Sequence, residues 1–205
     1  MSSLIVKELD KSHVDKIVDV FCDAFYDYPV MRHVVGPAVE DYDQCLHTLI
    51  EFFVMARVYH QGPLLGVLDE NTLIAAATMS RPDESSAPPE LLEHRERVWH
   101  NLGVDARKRY ESFGKAWSET PIIQPHLHLN MIGVRREHHG KGLARMLLDA
   151  VHEKSEEHPN STGVSLSTEN QKNVSLYEYF GYEITGQAKI APGVETWSFF
   201  RKNLE

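Results

Sequence analysis

The sequence predicts an α/β protein built around one mixed sheet, and three observations lead to that class. Short runs of alternating apolar residues, typical of strands, occur near both ends and in the middle of the chain. Longer stretches with apolar residues three and four apart, typical of amphipathic helices, separate those runs. In the second half, an apolar run at 126–134 leads through a glycine-rich turn directly into an amphipathic helix at 141–156. Strands and helices that interleave in this way favour a sheet covered by helices.

Local signals set the expected bounds of each element. Asp10 or Ser12 can cap the first helix, and Pro29 is expected to end it. Gly103 and Gly114 are expected to break a charged helical stretch, and Gly181 to end the last helix. The expected order is a strand at 4–9, a helix that stops before 29, a helix at 41–59, strands at 62–69 and 72–80, a loop at 82–89, the charged helical stretch at 90–117, a strand at 126–134, a helix at 141–156, a strand at 163–167, a short helix at 170–180 and a hairpin of strands at 182–189 and 194–201.

The composition is that of one globular domain over residues 1–205, with a helical insertion at about 83–120. The chain is 42% hydrophobic and 25% charged, with a formal net charge of −9. That negative charge argues against a nucleic-acid partner. No stretch is apolar for long enough to span a membrane, and the N-terminus lacks a long apolar core before a cleavage site, so we expect no membrane partner and a cytoplasmic location. Cys22 and Cys45 lack metal-binding spacing, so we expect no metal.

The glycine-rich turn indicates an anion-binding site. The first N–H groups of a helix lack internal partners, and the helix dipole adds partial positive charge there. Glycines at 140 and 142 let a phosphate approach the backbone with no Cβ in the way. The turn is not a Walker A loop, because its glycine spacing is too short and no Lys-Ser/Thr pair follows. It is not a dinucleotide loop either, because Arg145 takes the position of the third glycine.

The turn resembles the coenzyme A loop of the GNAT acetyltransferases, whose pattern is Arg/Gln-x-x-Gly-x-Gly/Ala. Here it reads His139-Gly140-Lys141-Gly142-Leu143-Ala144, so a histidine stands where the family usually has Arg or Gln. Downstream, the run from Asn173 to Tyr182 resembles the family's second signature, in which Asn precedes Tyr-Glu-x-x-Gly-Phe. The resemblance implies the GNAT fold, a central mixed and mostly antiparallel sheet flanked by helices. It also implies an N-acetyltransferase that uses acetyl-CoA as cosubstrate.

The resemblance also implies where coenzyme A is held. The pantetheine arm resembles a short peptide and can pair with a strand edge, and the pyrophosphate is assigned to the amides of the glycine turn. Lys141 either adds a salt-sensitive charge or is simply solvated, and Asn173 either holds the cofactor or caps a helix. The expected cofactor contacts are Ile132, Gly133, Val134, His139, Gly140, Lys141, Gly142, Leu143, Ala144 and Asn173.

Acetyl transfer from a thioester to an amine needs an acid for the leaving thiolate. Tyr177 occupies the tyrosine position of the second signature, which makes it the candidate acid. A phenol with a pKa of ~10 is protonated at neutral pH and can donate to a thiolate. The alternative is a tyrosine that only packs in the core.

The amine must also lose a proton, and His128 is the candidate base. His126, His128 and Asn130 share one face of the expected strand, because side chains alternate with a period of two. This His-x-His resembles the arylalkylamine branch of the family, in which such histidines relay a proton. If His128 only packs, the proton leaves through water or through Glu169 or Glu178.

The acceptor is expected to be a primary amine of a small molecule. From Phe21 to the end, and least at 43–125, the chain is similar to the puromycin-acetylating type within the family. That likeness implies acceptor contacts at Phe25, Tyr26, Tyr28 and Arg32, unless these residues only pack. A homodimer is allowed. The alternatives are acetylation of a protein N-terminus or lysine, and a non-catalytic sensor that binds coenzyme A.

Overall fold

A computed structural model describes residues 4–37, 39–118 and 122–204, with the backbone alone described at 116–118. The described strands are β1 (Val6–Leu9), β2 (Leu64–Asp69), β3 (Thr72–Ser80), β4 (Leu127–Val134), β5 (Gly163–Thr168), β6 (Glu183–Ala191) and β7 (Val194–Lys202). The described α-helices are α1 (Val14–Ala24), α2 (Pro29–Val35), α3 (Tyr42–Tyr59), α4 (Pro89–Leu102), α5 (Val104–Ser118), α6 (Leu143–Glu157) and α7 (Val174–Tyr179). Among the described residues, no helix is both long and apolar enough to cross a membrane.

The described strands form one sheet in the order β1-β2-β3-β4-β5-β7-β6. Neighbouring strands run antiparallel except β4 and β5, which are parallel, so the expected mixed and mostly antiparallel sheet is confirmed. The parallel pair is short and ends at Leu129 opposite Leu166. Because β4 continues to Val134 without pairing further with β5, an opening separates the two strands and leaves the β4 edge free.

Two apolar cores cover the two faces of the sheet. Phe21 of α1 packs with Ala76 on one face, while Leu147 of α6 packs with Ala77 on the other. The alternation along β3 therefore decides which helix layer each alanine contacts. At Gly133, an added Cβ would come within 2.9 Å of side-chain atoms of Ala24 and Phe21. Glycine there lets α1 lie directly on β4, which brings the α1–α2 turn beside the opening.

The first helix and the helical insertion differ from the sequence expectation. The expectation that Pro29 ends the first helix is wrong, because α1 already ends at Ala24 and Pro29 is the first residue of α2. Proline suits that position, where no intrahelical N–H is needed. The break at Gly103 is confirmed with a φ of +86°, whereas α5 continues through Gly114. The last residues of the expected insertion, 119 and 120, lie outside the described residues.

The insertion is tied to α2 by one arginine. On α5, Arg109 donates from Nε to the Val34 carbonyl at 3.0 Å and from Nη2 to the Val35 carbonyl at 2.9 Å. These carbonyls end α2 and lack helical partners, so the guanidinium caps the helix. The contact fixes the position of α5 relative to α2, so that α5 covers one side of the cavity beside the α1–α2 turn.

Candidate active site

One cavity of about 990 Å³ extends from the glycine turn, past the opening between β4 and β5, to helices α3, α4 and α5. This volume is typical of small-molecule sites. The predicted residues that line it are Phe25, Tyr28, His128, Ile132, Gly133, Val134, His139, Gly140, Gly142, Leu143, Ala144, Asn173 and Tyr177. Lys141, Tyr26 and Arg32 do not line it.

The glycine turn has the geometry of an anion site. Gly140 and Gly142 have φ angles of +75° and +79°, in the region that glycine adopts without strain. Gly142 precedes the first turn of α6, and no side chain caps that helix end. A Cβ at either glycine would meet no atom within 4 Å. The first N–H groups of α6 therefore border open space, where an anion can approach them.

The side chain of His139 connects this turn to β4. Its Nε2 donates to the carbonyl of Val134 at 3.0 Å, which fastens the turn to the end of β4. The side chain that replaces the family's Arg or Gln is thus engaged with the protein backbone. Lys141 is exposed, and its Nζ lies 3.2 Å from Nδ1 of His138.

Arg145 is a cation at the turn that the sequence analysis treated only as a mismatch to the dinucleotide motif. It stands in the first turn of α6 and lines the cavity. Its guanidinium donates to the Tyr179 hydroxyl at 2.7 Å and lies 5.1 Å from the ring centroid of Phe180. A guanidinium held this way beside free helical N–H groups adds positive charge for a phosphate.

Tyr177 is a buried residue that lines the cavity. Its side chain is 6% exposed, and its ring packs against those of Tyr182 and Phe199. Burial raises the pKa of its phenol above the ordinary range, and the charge of Glu169 raises it further. The hydroxyl is therefore protonated at neutral pH, as a general acid requires.

Asn173 does not cap a helix through its side chain. The cap at this turn is Asn170, whose Oδ1 accepts from the backbone N–H of Lys172 at 3.1 Å. The Nδ2 of Asn173 donates to Oγ1 of Thr168 at 3.3 Å, and the residue lines the cavity. Its side-chain oxygen has no hydrogen-bond partner among the described residues, which leaves it available to a ligand.

The expected strand face is interrupted, because the register of β4 against β3 shifts by one residue between Leu129 and Met131. Leu127 and Leu129, which flank His128, pack in the same core as Ile132 and Val134, so His128 lies on the opposite face of the sheet from those two residues. Nδ1 of His128 lies 2.8 Å from Oγ of Ser165 on β5. Burial lowers the pKa of its imidazole to about 3, and the nearby positive charges of His126 and Arg57 act in the same direction. His128 is therefore neutral at neutral pH but a weak proton acceptor.

Glu169 is the acidic residue of the cavity. It follows β5, is 8% exposed, and accepts a hydrogen bond from Oγ1 of Thr196 at 2.8 Å. Its backbone N–H donates to the Tyr28 hydroxyl at 2.9 Å. Burial raises the pKa of its carboxyl to about 7, although hydrogen bonds from Thr196 and Tyr28 lower it. A carboxyl that titrates near neutrality in a cavity is a candidate general base. Glu178 is exposed and lies outside the cavity.

The acceptor end includes only part of the predicted set. Phe25 and Tyr28 line the cavity, and the Tyr28 hydroxyl lies 2.8 Å from Oγ1 of Thr168. Arg32 lies outside it, over the rings of Tyr42 and Tyr26 at 3.7 and 4.7 Å. The residues that the sequence analysis missed come from α3 and the insertion: Phe52, Phe53, Arg57, Leu91, Arg95, Tyr110 and Phe113. No group of three or more His, Cys, Asp or Glu side chains in the described part of the chain could hold a metal ion.

Residues 93–199 match the acetyltransferase (GNAT) domain family, and the chain belongs to that family. The matched region is therefore a GNAT acetyltransferase domain. Over 97% of its length it is 29% identical to a probable serine/threonine-protein kinase of Dictyostelium discoideum, of whose length it spans 23%.

Solved structures share the fold. The chain is 18% identical to a histone acetyltransferase HPA2 and related acetyltransferase from Corynebacterium glutamicum, with a TM-score of 0.70 over 100% of this chain and 98% of that one. It is 14% identical to a polyamine N-acetyltransferase of Drosophila melanogaster, with a TM-score of 0.70 over 98% of this chain and 100% of that one. An agmatine N-acetyltransferase is 16% identical, with a TM-score of 0.62 over 98% of this chain and 100% of that one. Together these structures support the GNAT fold.

Proposed function

We propose that this enzyme transfers the acetyl group of acetyl-CoA to the primary amine of a small molecule. The observation that carries the proposal is the continuous cavity, which joins the opening between β4 and β5 to an aromatic chamber under α4 and α5. Helices α4 and α5 border this chamber, and Arg109 fixes α5 to α2, an arrangement that favours a small acceptor over a polypeptide. The likeness to puromycin-acetylating enzymes also favours a small acceptor. We further propose that residues 1–205 are a single GNAT domain with a helical insertion at about 83–120.

We assign coenzyme A to the turn and the free edge of β4. The amides from Gly140 to Ala144 would bind the pyrophosphate, with Arg145 adding charge. The edge at Ile132, Gly133 and Val134 would pair with the pantetheine arm, and Asn173 would offer its side-chain oxygen. Lys141, which is exposed, would act only through long-range charge. The scheme uses no metal, nucleic acid or membrane, and it is compatible with a homodimer.

We propose Glu169 in preference to His128 as the group that accepts the amine proton. A carboxyl with a pKa of about 7 is half ionised at neutral pH and still basic enough to take a proton. The pKa of about 3 at His128 makes transfer from an ammonium group strongly unfavourable. In this scheme His128 is a neutral polar residue of the cavity wall, held in position by its hydrogen bond to Ser165.

We assign the second proton transfer to Tyr177. The neutral amine forms its bond to the thioester carbonyl carbon, the carbon–sulfur bond breaks, and the leaving thiolate takes the phenolic proton. The proton that the new amide nitrogen loses then returns to the Tyr177 oxygen, directly or through water, while the proton taken earlier by Glu169 passes to solvent. Phe25 and Tyr28 border the acceptor, and the Tyr28 hydroxyl also links Thr168 to the backbone of Glu169.

The proposal is tested by thiol release from acetyl-CoA with two acceptor panels. One contains small primary amines, and the other contains peptides with free N-termini or lysines. We expect turnover with small amines that carry apolar bodies and much slower turnover with peptides. Turnover confined to peptides would replace this proposal with protein acetylation.

A further inference from the structure

The acceptor end of the cavity carries mostly positive charge. Among the described residues that line the whole cavity, Glu169 is the one carboxylate. Two guanidinium groups, Arg57 of α3 and Arg95 of α4, line the chamber under the insertion. Among the described lining residues, a cationic ligand would therefore find an opposite charge only at Glu169.

The chamber walls are aromatic. Tyr110 of α5 lies 4.8 Å from Trp99 and 5.8 Å from Phe53, measured between ring centroids. Phe52 and Phe113 extend the same surface. Rings that are packed against one another form a rigid apolar wall, which suits a ligand with a ring of its own.

The two arginines differ in how firmly they are already paired. Arg57 is 14% exposed, and its Nη1 lies 3.2 Å from both carboxylate oxygens of Glu84. It also donates to Ser80, whose hydroxyl donates to Oδ1 of Asn130 at 3.0 Å. Arg57 is thus a fixed part of the wall with its charge largely compensated.

Arg95 has the capacity to bind a further anion. Its Nε lies 3.6 Å from Oε1 of Glu96, whose Oε2 lies closer to Arg107, at 2.8 Å. Its side chain is 45% exposed. Arg57 and Arg95 both lower the pKa of Tyr110, against a larger increase from burial, so both charges act at that phenol. Arg95 and the Tyr110 hydroxyl thus offer donors of the kind that bind a carboxylate.

We infer that the acceptor is a primary amine on a ring-bearing apolar body that also carries a carboxylate, bound by Arg95 and Tyr110. This inference rests on the proposed function. The ring would fill the aromatic chamber while the amine faces Glu169. Polyamines and agmatine, named for two enzymes of the same fold, carry the opposite charge and would be poor acceptors here.

The first test compares matched amines in the thiol-release assay with wild-type enzyme. The probes are 4-(2-aminoethyl)benzoic acid, its carboxamide and 4-(2-aminoethyl)benzylamine, with agmatine and spermidine alongside. We expect kcat/KM to fall by on the order of 10-fold from the acid to the carboxamide, since a charge-assisted hydrogen bond is lost. The benzylamine, agmatine and spermidine should be slower still. A carboxamide or polyamine that equals or exceeds the acid would overturn the inference.

The second test locates the carboxylate with variants. Arg95→Gln should raise KM for the acid by on the order of 10-fold, with kcat and the kinetics of the carboxamide little changed. Arg97→Gln is the control, because Arg97 is exposed on the same helix and outside the cavity. An equal loss with both amines, or an equal effect of Arg97→Gln, would contradict the role of Arg95. Thiol release with polyamines alone would refute this inference only, whereas the absence of release with every small amine would refute the proposed function itself.

Discussion

Tyr177 is packed among aromatic rings and faces the cavity, so its ring and its hydroxyl can be tested separately. Tyr177→Phe keeps the ring and removes only the proton donor. We expect kcat to fall by ~10²-fold, the scale of one general acid, with little change in acetyl-CoA affinity. Pre-steady-state acetyl transfer and calorimetry measure the two quantities.

Tyr182→Phe is the matched control for this substitution. The Tyr182 ring lies 5.8 Å from that of Tyr177, but its hydroxyl bonds Nε2 of His152 at 2.9 Å and lies outside the cavity. Its loss should lower stability and leave the chemical step unchanged. If both variants transfer acetyl at the wild-type rate, Tyr177 is a packing residue.

The proton acceptor can be identified from pH profiles. Glu169 accepts a proton only when ionised, and its pKa is about 7, so kcat/KM should rise with pH through neutrality. Glu169→Gln should remove that rise and lower the rate by ~10²-fold or more. His128→Gln should keep the rise, because an imidazole with a pKa of about 3 is neutral across this range.

Both variants are measured from pH 5.5 to 9 with the same amine, and the titration of the amine itself is the shared background. A rise that persists in Glu169→Gln and vanishes in His128→Gln would restore His128 as the base. A weakly basic amine, which arrives partly neutral, should depend less on either residue.

At the scale of elements, the role of the glycine turn in binding coenzyme A can be separated from its role in folding. Gly142→Val forces a branched residue to a φ of +79° and fills the space in front of the α6 N-terminus. We expect calorimetry to detect no coenzyme A binding, because the pyrophosphate would lose its place at the helical N–H groups.

Gly103→Val is the matched control for backbone strain. Gly103 has a φ of +86°, meets no atom within 4 Å of an added Cβ, and lies outside the cavity. Both variants should lose stability by about 1–3 kcal/mol, and only Gly142→Val should lose coenzyme A. Wild-type affinity in folded Gly142→Val would refute the assignment of the turn.

Helices and strands could be predicted from the sequence where the residues that specify them are neighbours in the chain. The strand–turn–helix unit around Gly142 depends on local periodicity and glycines, so the ends of β4 and α6 were placed within two residues. Helix α2 was missed because proline both ends one helix and starts another, and the residues around Pro29 do not distinguish these roles.

The acceptor end was not predictable because no local pattern brings it together. Arg57, Arg95 and Tyr110 come from three different helices, and periodicity gives a helix without saying what its faces contact. In the sequence analysis Glu169 is one of three alternatives to His128 for the amine proton. Only its burial beside Thr196, which is a tertiary contact, distinguishes it from Glu178.

At the scale of the whole molecule, buried titratable groups couple fold stability to pH in opposite directions. Burial lowers the pKa of His128 to about 3 and that of His152 to about 4, from 6.5. Below pH 6.5 the unfolded chain therefore binds protons that the folded chain does not, and stability falls with pH until these folded pKa values are reached. Glu169 acts oppositely, because its folded pKa of about 7 lies above its ordinary 4.5, so the fold gains stability as pH falls from 7 to 4.5.

These signs predict the shape of an unfolding curve against pH. From pH 7 to 4.5 the gain from Glu169 offsets part of the loss from the histidines. Below pH 4.5 that offset ends, so stability should fall more steeply until the His152 pKa of about 4 is reached, after which only His128 adds to the loss. Each group that titrates differently in the two states changes the slope by up to ~1.4 kcal/mol per pH unit.

We expect Glu169→Gln to remove the offset and make the acid loss steeper between pH 7 and 4.5. His152→Gln should make the loss shallower below pH 6.5, while the amide can still bond the Tyr182 hydroxyl. His47→Gln, on the exposed side of α3, is the control for the exchange of a histidine for glutamine. Urea unfolding at half-unit pH steps gives these slopes directly. A wild-type slope in Glu169→Gln would mean that this carboxyl titrates alike in the folded and unfolded states, and it could then not serve as the neutral-pH base.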